Sequence, residues 1–275
     1  MNKRGKVFLI GAGPGDPELI TMKAVKHLQT ADVVLTDRLV SDEILGLYVA
    51  HSTKIIYVGK DGCNKDKSVS QQQTNELIVT YARAGKKVVR LKGGDVAFFS
   101  NVLDELIALK KFEIEYEIIP GITSASGASA YAGIPLTARG YSKGVRFLTF
   151  SASQHDSYWK ELAQTEDTLV FYMTGQAWDT LAAHLIKNNI DASKKMAIIE
   201  QATTPYQKVF IYDFEELKNK KIKRTFVSPS LVVIGNVVNL YEHFAWKTNT
   251  NKTENYFKSP NEKAVELVTV NQQSA

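Results

Sequence analysis

Cysteine occurs once in the 275 residues, as Cys63. That excludes disulfides within the chain and metal sites built from several cysteines. Histidine is nearly as scarce, and His27, His51, His155, His184 and His243 lack metal-ligating spacings, so no metal is expected. No apolar run approaches the roughly 20 residues a membrane helix needs. Met1–Gly5 is only a basic stub before a short apolar run, so no signal segment is expected, and the cytoplasm is the expected compartment. A strong charge excess is missing too: 34 basic against 29 acidic residues leave a net +5. Without a basic track, or aromatics interleaved with basic residues, no nucleic-acid partner is expected. A mildly basic balance does suit a small acidic substrate. No internal repeat is evident.

What is present starts with Lys6–Leu19, KVFLIGAGPGDPEL. Lys6–Ile10 is a short apolar, β-branched run and reads as a buried strand. It ends in Gly11-Ala12-Gly13-Pro14-Gly15-Asp16-Pro17, which can continue neither a strand nor a helix interior. Such a loop lets a ligand approach backbone closely. Glu18–Thr30 follows with apolar residues near helical spacing. A dinucleotide fingerprint would need a third glycine opening the helix, and Asp16-Pro17-Glu18 stand there instead. A plain tight turn remains the competing reading at this point.

The rhythm continues. Strands are expected at Asp32–Thr36, Lys54–Val58, Lys87–Leu91 and Glu115–Ile119, with helices near Asp42–Tyr48, from a capping box at Ser70 to about Ala84, at Asn101–Lys110 and at Ser124–Ala132. Strands alternating with helices imply a mostly parallel sheet covered on both faces. The loops Gly11–Gly15, Asp37-Arg38, Gly59-Lys60, Gly93–Asp95 and Gly121–Ser124 all follow strands. They therefore share the carboxyl edge of the sheet, where open α/β sheets bind ligands.

After an extended Gly133–Gly140 the pattern changes. Strands at Val145–Phe150, Thr168–Met173, Met196–Glu200, Lys208–Tyr212 and Leu231–Ile234, with helices at Gln176–Lys187 and Phe214–Lys220, fit a second α/β domain with a mixed sheet. The expected division is 1–136, 137–246 and a polar, flexible tail at 247–275.

Taken together, GAGPGDPELIT, ADVVLTDRLVSDEIL, YVGK, VVRLKGGD, PGITSASGASAYAGIPLTARG and TLVFYMTG resemble, in order, the motifs of the tetrapyrrole methylases. The resemblance covers about Lys6 to Leu240. It implies two α/β domains with S-adenosylmethionine in a cleft between them, and a homodimer. DRLVS and YVGK favour members that methylate C2 and C7 of uroporphyrinogen III to give precorrin-2, on the route to sirohaem or corrinoids. A methylase of a later precorrin is the nearest alternative, and a non-catalytic adenosyl-ligand binder is another.

Carried over by position, the resemblance puts Pro14, Gly93, Gly94, Asp95, Phe98, Thr123, Ser124, Met173 and Ala202 against the donor. Asp37 matches a proton acceptor and Lys60 a proton donor. Arg38 and Arg139 would clamp substrate carboxylates. Each has a plainer reading: Asp37 as a turn carboxylate paired with Arg38, Lys60 as a carboxylate binder, Asp95 as a turn cap, Met173 as core, and the two arginines as solvated surface. The chain departs from the family pattern at Val96, at Phe98-Phe99-Ser100-Asn101, at Asp61-Gly62-Cys63 and at Ala138. These departures touch the substrate side more than the donor side.

Overall fold

A computed structural model describes residues 5–58, 69–219, 222 and 224–257. They divide into two compact units, one running to Thr123 and including Phe257, the other Ser124–Tyr256.

The first unit carries β1 (Val7–Gly11), β2 (Val33–Thr36), β3 (Lys54–Tyr57), β4 (Val88–Lys92) and β5 (Tyr116–Ile119), in the order β3-β2-β4-β1-β5. All are parallel. Alternate strand residues face opposite sides, and here both sides are covered. Ile10, Val34 and Val89 pack with Ala24 and Leu28 of α1 (Met22–Leu28) and Ile44 of α2 (Asp42–Tyr48). Leu9, Leu35 and Val88 pack with Ile78 of α3 (Gln71–Arg83) and Leu109 of α4 (Val102–Lys111). The capping box at Ser70 forms: the Gln73 N–H donates to Ser70 Oγ at 3.1 Å, and the Ser70 N–H to Gln73 Oε1 at 2.8 Å.

One boundary differs from expectation. The helix expected from Glu18 begins at Met22, behind a 3-10 turn at Pro17–Leu19. Asp16 accepts the Glu18 N–H at 2.9 Å, which closes that turn. The Thr21 hydroxyl then accepts the Ala24 N–H at 3.2 Å and caps the helix proper.

The second unit carries α5 (Ser124–Ala132), β6 (Val145–Thr149), α6 (Asp156–Gln164), β7 (Thr168–Tyr172), α7 (Trp178–Lys187), β8 (Lys195–Glu200), β9 (Lys208–Asp213), α8 (Phe214–Asn219), β10 (Ser230–Gly235) and α9 (Tyr241–Phe244). Its strand order is β6-β7-β10-β8-β9. β6 and β7 are parallel and the other pairs antiparallel, so the sheet is mixed. Trp159, Leu181 and Leu185 cover one face, and Ala125, Ala128 and Ala132 of α5 pack on the other.

α5 explains why the chain divides at 123/124 and not at the expected 136/137. Its alanines lie under β7, β8 and β10, and the Ala125 N–H donates to the Tyr172 hydroxyl at 3.3 Å. The expected flexible tail also differs in its described part. The Asn249 side-chain amide pairs with both the N–H and the C=O of Val209, at 2.7 and 2.9 Å. Residues 258–275 lie outside the described residues. Among the described residues, no helix is long and apolar enough to cross a membrane.

Candidate active site

In the first unit, three loops at the carboxyl edge of the sheet are tied together. The Ala12 N–H donates to the Lys92 carbonyl at 2.8 Å. Gly13 and Gly94 exchange backbone hydrogen bonds at 3.1 and 2.7 Å. Asp95 is buried, and its Oδ2 accepts the Gly121 N–H at 2.8 Å while its Oδ1 accepts the Ala97 N–H at the same distance. Asp95 therefore caps its own turn and also staples the loop after β4 to the loop after β5. The backbones approach so closely that a Cβ on Gly121 would lie 2.4 Å from the Gly94 carbonyl oxygen, and one on Gly11 2.6 Å from that oxygen. Pro14 is buried in the same assembly, and Thr123 ends the third loop, half-buried. Phe98, 38% exposed, stands on the chain just beyond Asp95.

Gly121→Ala is expected to force these loops apart. Overpacking of this kind costs about 1–3 kcal/mol, or more where backbone must move. Denaturant unfolding would register the loss, and an unchanged midpoint would show that the loops can shift freely.

Asp37 begins the turn after β2. Its Oδ1 accepts the Leu39 N–H at 3.1 Å, and its Oδ2 faces Arg90 Nη2 at 3.7 Å. The ion-pair partner of the turn carboxylate is thus Arg90, and Asp37 remains partly open, with 23% of its side chain exposed. Gly93 joins this turn to the loop after β4: a Cβ there would meet Leu39 Cβ at 2.7 Å. Arg38, the neighbour proposed to clamp substrate, is half-buried in the same turn.

Behind Asp37 lies a buried charge cluster that the motif reading missed. Arg90 and Lys92 lie two apart on β4, hence on one face. Glu105 on α4 receives both: Arg90 Nε at 3.0 Å, and Lys92 Nζ at 2.9 Å to each carboxylate oxygen. Arg90 Nη1 also donates to the Leu91 carbonyl at 2.9 Å. Burial, with Arg90 nearby, pushes the Lys92 ammonium below its ordinary pKa, and Glu105 and Asp37 pull it back. The available signal was two cations at i, i+2 in the otherwise apolar VVRLK.

In the second unit the candidates sit on loops after two strands and at one helix start. Met173 follows β7 with φ +54° and is 66% exposed, so it is not core. Ala202 follows β8 between two residues that are also left-handed, Gln201 (φ +44°) and Thr203 (φ +69°). Side-chain-bearing residues in this region cost about 1–3 kcal/mol each and gather at ligand sites. Ser124 opens α5. Arg139 is exposed, in a turn closed by the Ala138–Ser142 bridge. Lys60 and Cys63 lie outside the described residues. Among the described residues, no group of three or more His, Cys, Asp or Glu could hold a metal ion.

The family model of the tetrapyrrole (corrin/porphyrin) methylases matches residues 6–218. The chain belongs to that family, a class of methyltransferases. Among its relatives, the siroheme synthase of Vesicomyosocius okutanii is 43% identical over 244 residues, which are 88% of this chain and 52% of that one. Siroheme synthase 2 of Pectobacterium atrosepticum is 44% identical over 248 residues, or 90% and 53% of the two chains. The chain thus spans about half the length of the curated relatives it matches. Among solved structures, uroporphyrin-III C-methyl transferase from Thermus thermophilus, complexed with S-adenyl homocysteine, is 32% identical with a TM-score of 0.70. That match covers 86% of this chain and 94% of the other.

Proposed function

We propose that the protein transfers methyl groups from S-adenosylmethionine to C2 and C7 of uroporphyrinogen III, giving precorrin-2. The observation that carries this is the Asp95 junction: three backbone loops of one methylase sheet, pinned together beside a half-open Asp37. The solved relative that holds S-adenyl homocysteine supports the choice of donor.

The donor, when bound, supplies a methyl group already attached to a good leaving group. The protein's part is alignment and exclusion of water. The loops around Gly94 and Gly121 in the first unit, and that around Ala202 in the second, each offer backbone N–H and C=O groups, which suit an adenosine and an amino-acid end. Met173, exposed just after β7, packs against an apolar portion of the donor. Arg38 and Arg139 pair with substrate carboxylates. Asp37 accepts a proton from the tetrapyrrole through the carboxylate oxygen not used by the turn. Lys60 returns a proton. The active form is a pair of chains, which sedimentation equilibrium would test; a single-chain mass would refute it.

Calorimetry should give binding of S-adenosylmethionine and none of NADH. Anaerobic incubation with uroporphyrinogen III and donor should give a product heavier by two methyl groups. Unchanged substrate would sink the reading. The second reading, a later precorrin as substrate, is favoured only by Val96, Asn101 and Ala138. It predicts methylation of that precorrin and not of uroporphyrinogen III.

A further inference from the structure

Gln201–Gln207, the loop that carries Ala202, is covered by chain from beyond the family match. Gln201 is buried to 2% exposure. Its side-chain amide pairs with the backbone of the C-terminal segment: Oε1 accepts the Tyr256 N–H at 2.6 Å, and Nε2 donates to the Glu254 carbonyl at 3.3 Å. The Tyr206 hydroxyl donates to Glu254 Oε2 at 3.0 Å, and its ring meets Tyr256 at 5.9 Å and the Lys252 ammonium at 4.9 Å. Lys247 Nζ donates to the Thr204 carbonyl at 3.3 Å. The segment is also anchored ahead of its Lys252–Tyr256 contacts. Trp246 Nε1 donates to the Ala130 carbonyl at 2.8 Å, and the Asn249 amide pairs with Val209 on the edge strand β9, as one more rung of the sheet.

The loop needs such support. Gln201 and Thr203 hold left-handed backbone on either side of Ala202, a conformation that persists only where surrounding structure over-determines it. Internal bonds supply part of this: the Thr203 N–H donates to Gln207 Oε1 at 2.8 Å and Thr204 Oγ1 to the Gln201 carbonyl at 2.8 Å. The strap supplies the partners of the buried Gln201 amide.

We infer that Trp246–Tyr256 is a positioning strap: it holds the Gln201–Gln207 loop in its donor-receiving conformation and so sets affinity for S-adenosylmethionine. This rests on the function proposed above. A strap acting this way changes the fraction of molecules whose loop is competent, so apparent dissociation constants rise as that fraction falls.

Three proteins test it against the full chain: one ending at Phe257, one ending at Thr248, and a full-length Asn249→Leu, which keeps the side-chain bulk and loses both bonds to Val209. The chain ending at Phe257 should bind donor as the full chain does. The chain ending at Thr248 should bind about tenfold more weakly, as expected if one loop in ten stays competent. Asn249→Leu should weaken binding in the same direction. In both, kcat at saturating donor should hold, so the loss falls in KM for the donor. Amide hydrogen exchange at residues 201–207 should quicken in the ligand-free variants. Unchanged donor affinity in Asn249→Leu, or a fall in kcat at saturation, overturns the strap. If the full chain itself binds no donor, the proposed function fails. Exchange at 201–207 then decides the strap alone, and unchanged exchange there overturns it.

Discussion

Asp37→Asn is expected to lower turnover by about 10²–10⁴-fold, the range for a lost general base, while donor affinity stays as it was. The substitution is close to isosteric. Asn retains an oxygen that can accept the Leu39 N–H, now 3.1 Å from Asp37 Oδ1, so the turn after β2 has no reason to open. What disappears is the charge opposite Arg90 and the ability to take a proton. The separation is what gives the test its force. A structural carboxylate would cost stability and leave the chemistry of surviving molecules intact. A proton acceptor would leave calorimetric binding intact and remove the reaction from the folded molecules, whatever the lost contact with Arg90 costs in stability. Single-turnover rates measured with saturating donor make the distinction, and turnover near that of the natural chain would reduce Asp37 to a turn residue.

The parallel sheet was legible because its strands are buried on both faces. β1 and β2 read as short unbroken apolar runs and β4 as one broken only by Arg90 and Lys92, each followed by a loop of glycine or carboxylate. The capping box at Ser70 was legible for a local reason: both partners lie within four residues. The misplaced start of α1 was also local. Pro17 and Glu18 look like a helix entry, and Thr21, four residues on, is the better cap. Beyond local chemistry the sequence says less. Asp95 and Gly121 are separated by 26 positions, and no spacing rule links them. α5 belongs to the second unit because its alanines fit that sheet, and a run of small residues does not announce which sheet it will meet. The polar composition after Lys247 reads as unanchored chain, yet its contacts are amides, backbone and two tyrosine rings, which hydropathy does not register. The candidate site was legible as a set of loops; the bonds that fasten those loops were not.

The buried cluster behind Asp37 yields the largest expected effect on stability. Glu105 is 1% exposed and faces two cations, Arg90 at 6% and Lys92 at 4%. Removing one partner of a buried pair leaves an uncompensated charge, at a cost of about 3–5 kcal/mol. Glu105→Gln keeps the shape and removes only the charge, so it isolates that cost from a cavity. The pH dependence then identifies its origin. In the folded protein Lys92 sits below its ordinary value of 10.5, because burial and Arg90 oppose its charge. Over the interval between the folded and the ordinary value, the unfolded chain binds more protons, and stability therefore rises with pH. Glu105 is one of the groups that raise the folded value. Without it that value drops further and the interval widens toward neutrality. The deficit of Glu105→Gln relative to the natural chain should therefore be greatest near neutral pH and shrink as pH climbs toward 10.5, where Lys92 can shed its proton in the folded state. Denaturant midpoints at a series of pH values would trace this. A deficit constant with pH would assign the loss to hydrogen bonds and to Arg90, which does not titrate in this range, and the buried lysine would then carry no uncompensated charge. Since Arg90 bridges Glu105 and Asp37, the same variant should also loosen the Asp37 turn, which a slower single-turnover rate at full donor occupancy would report.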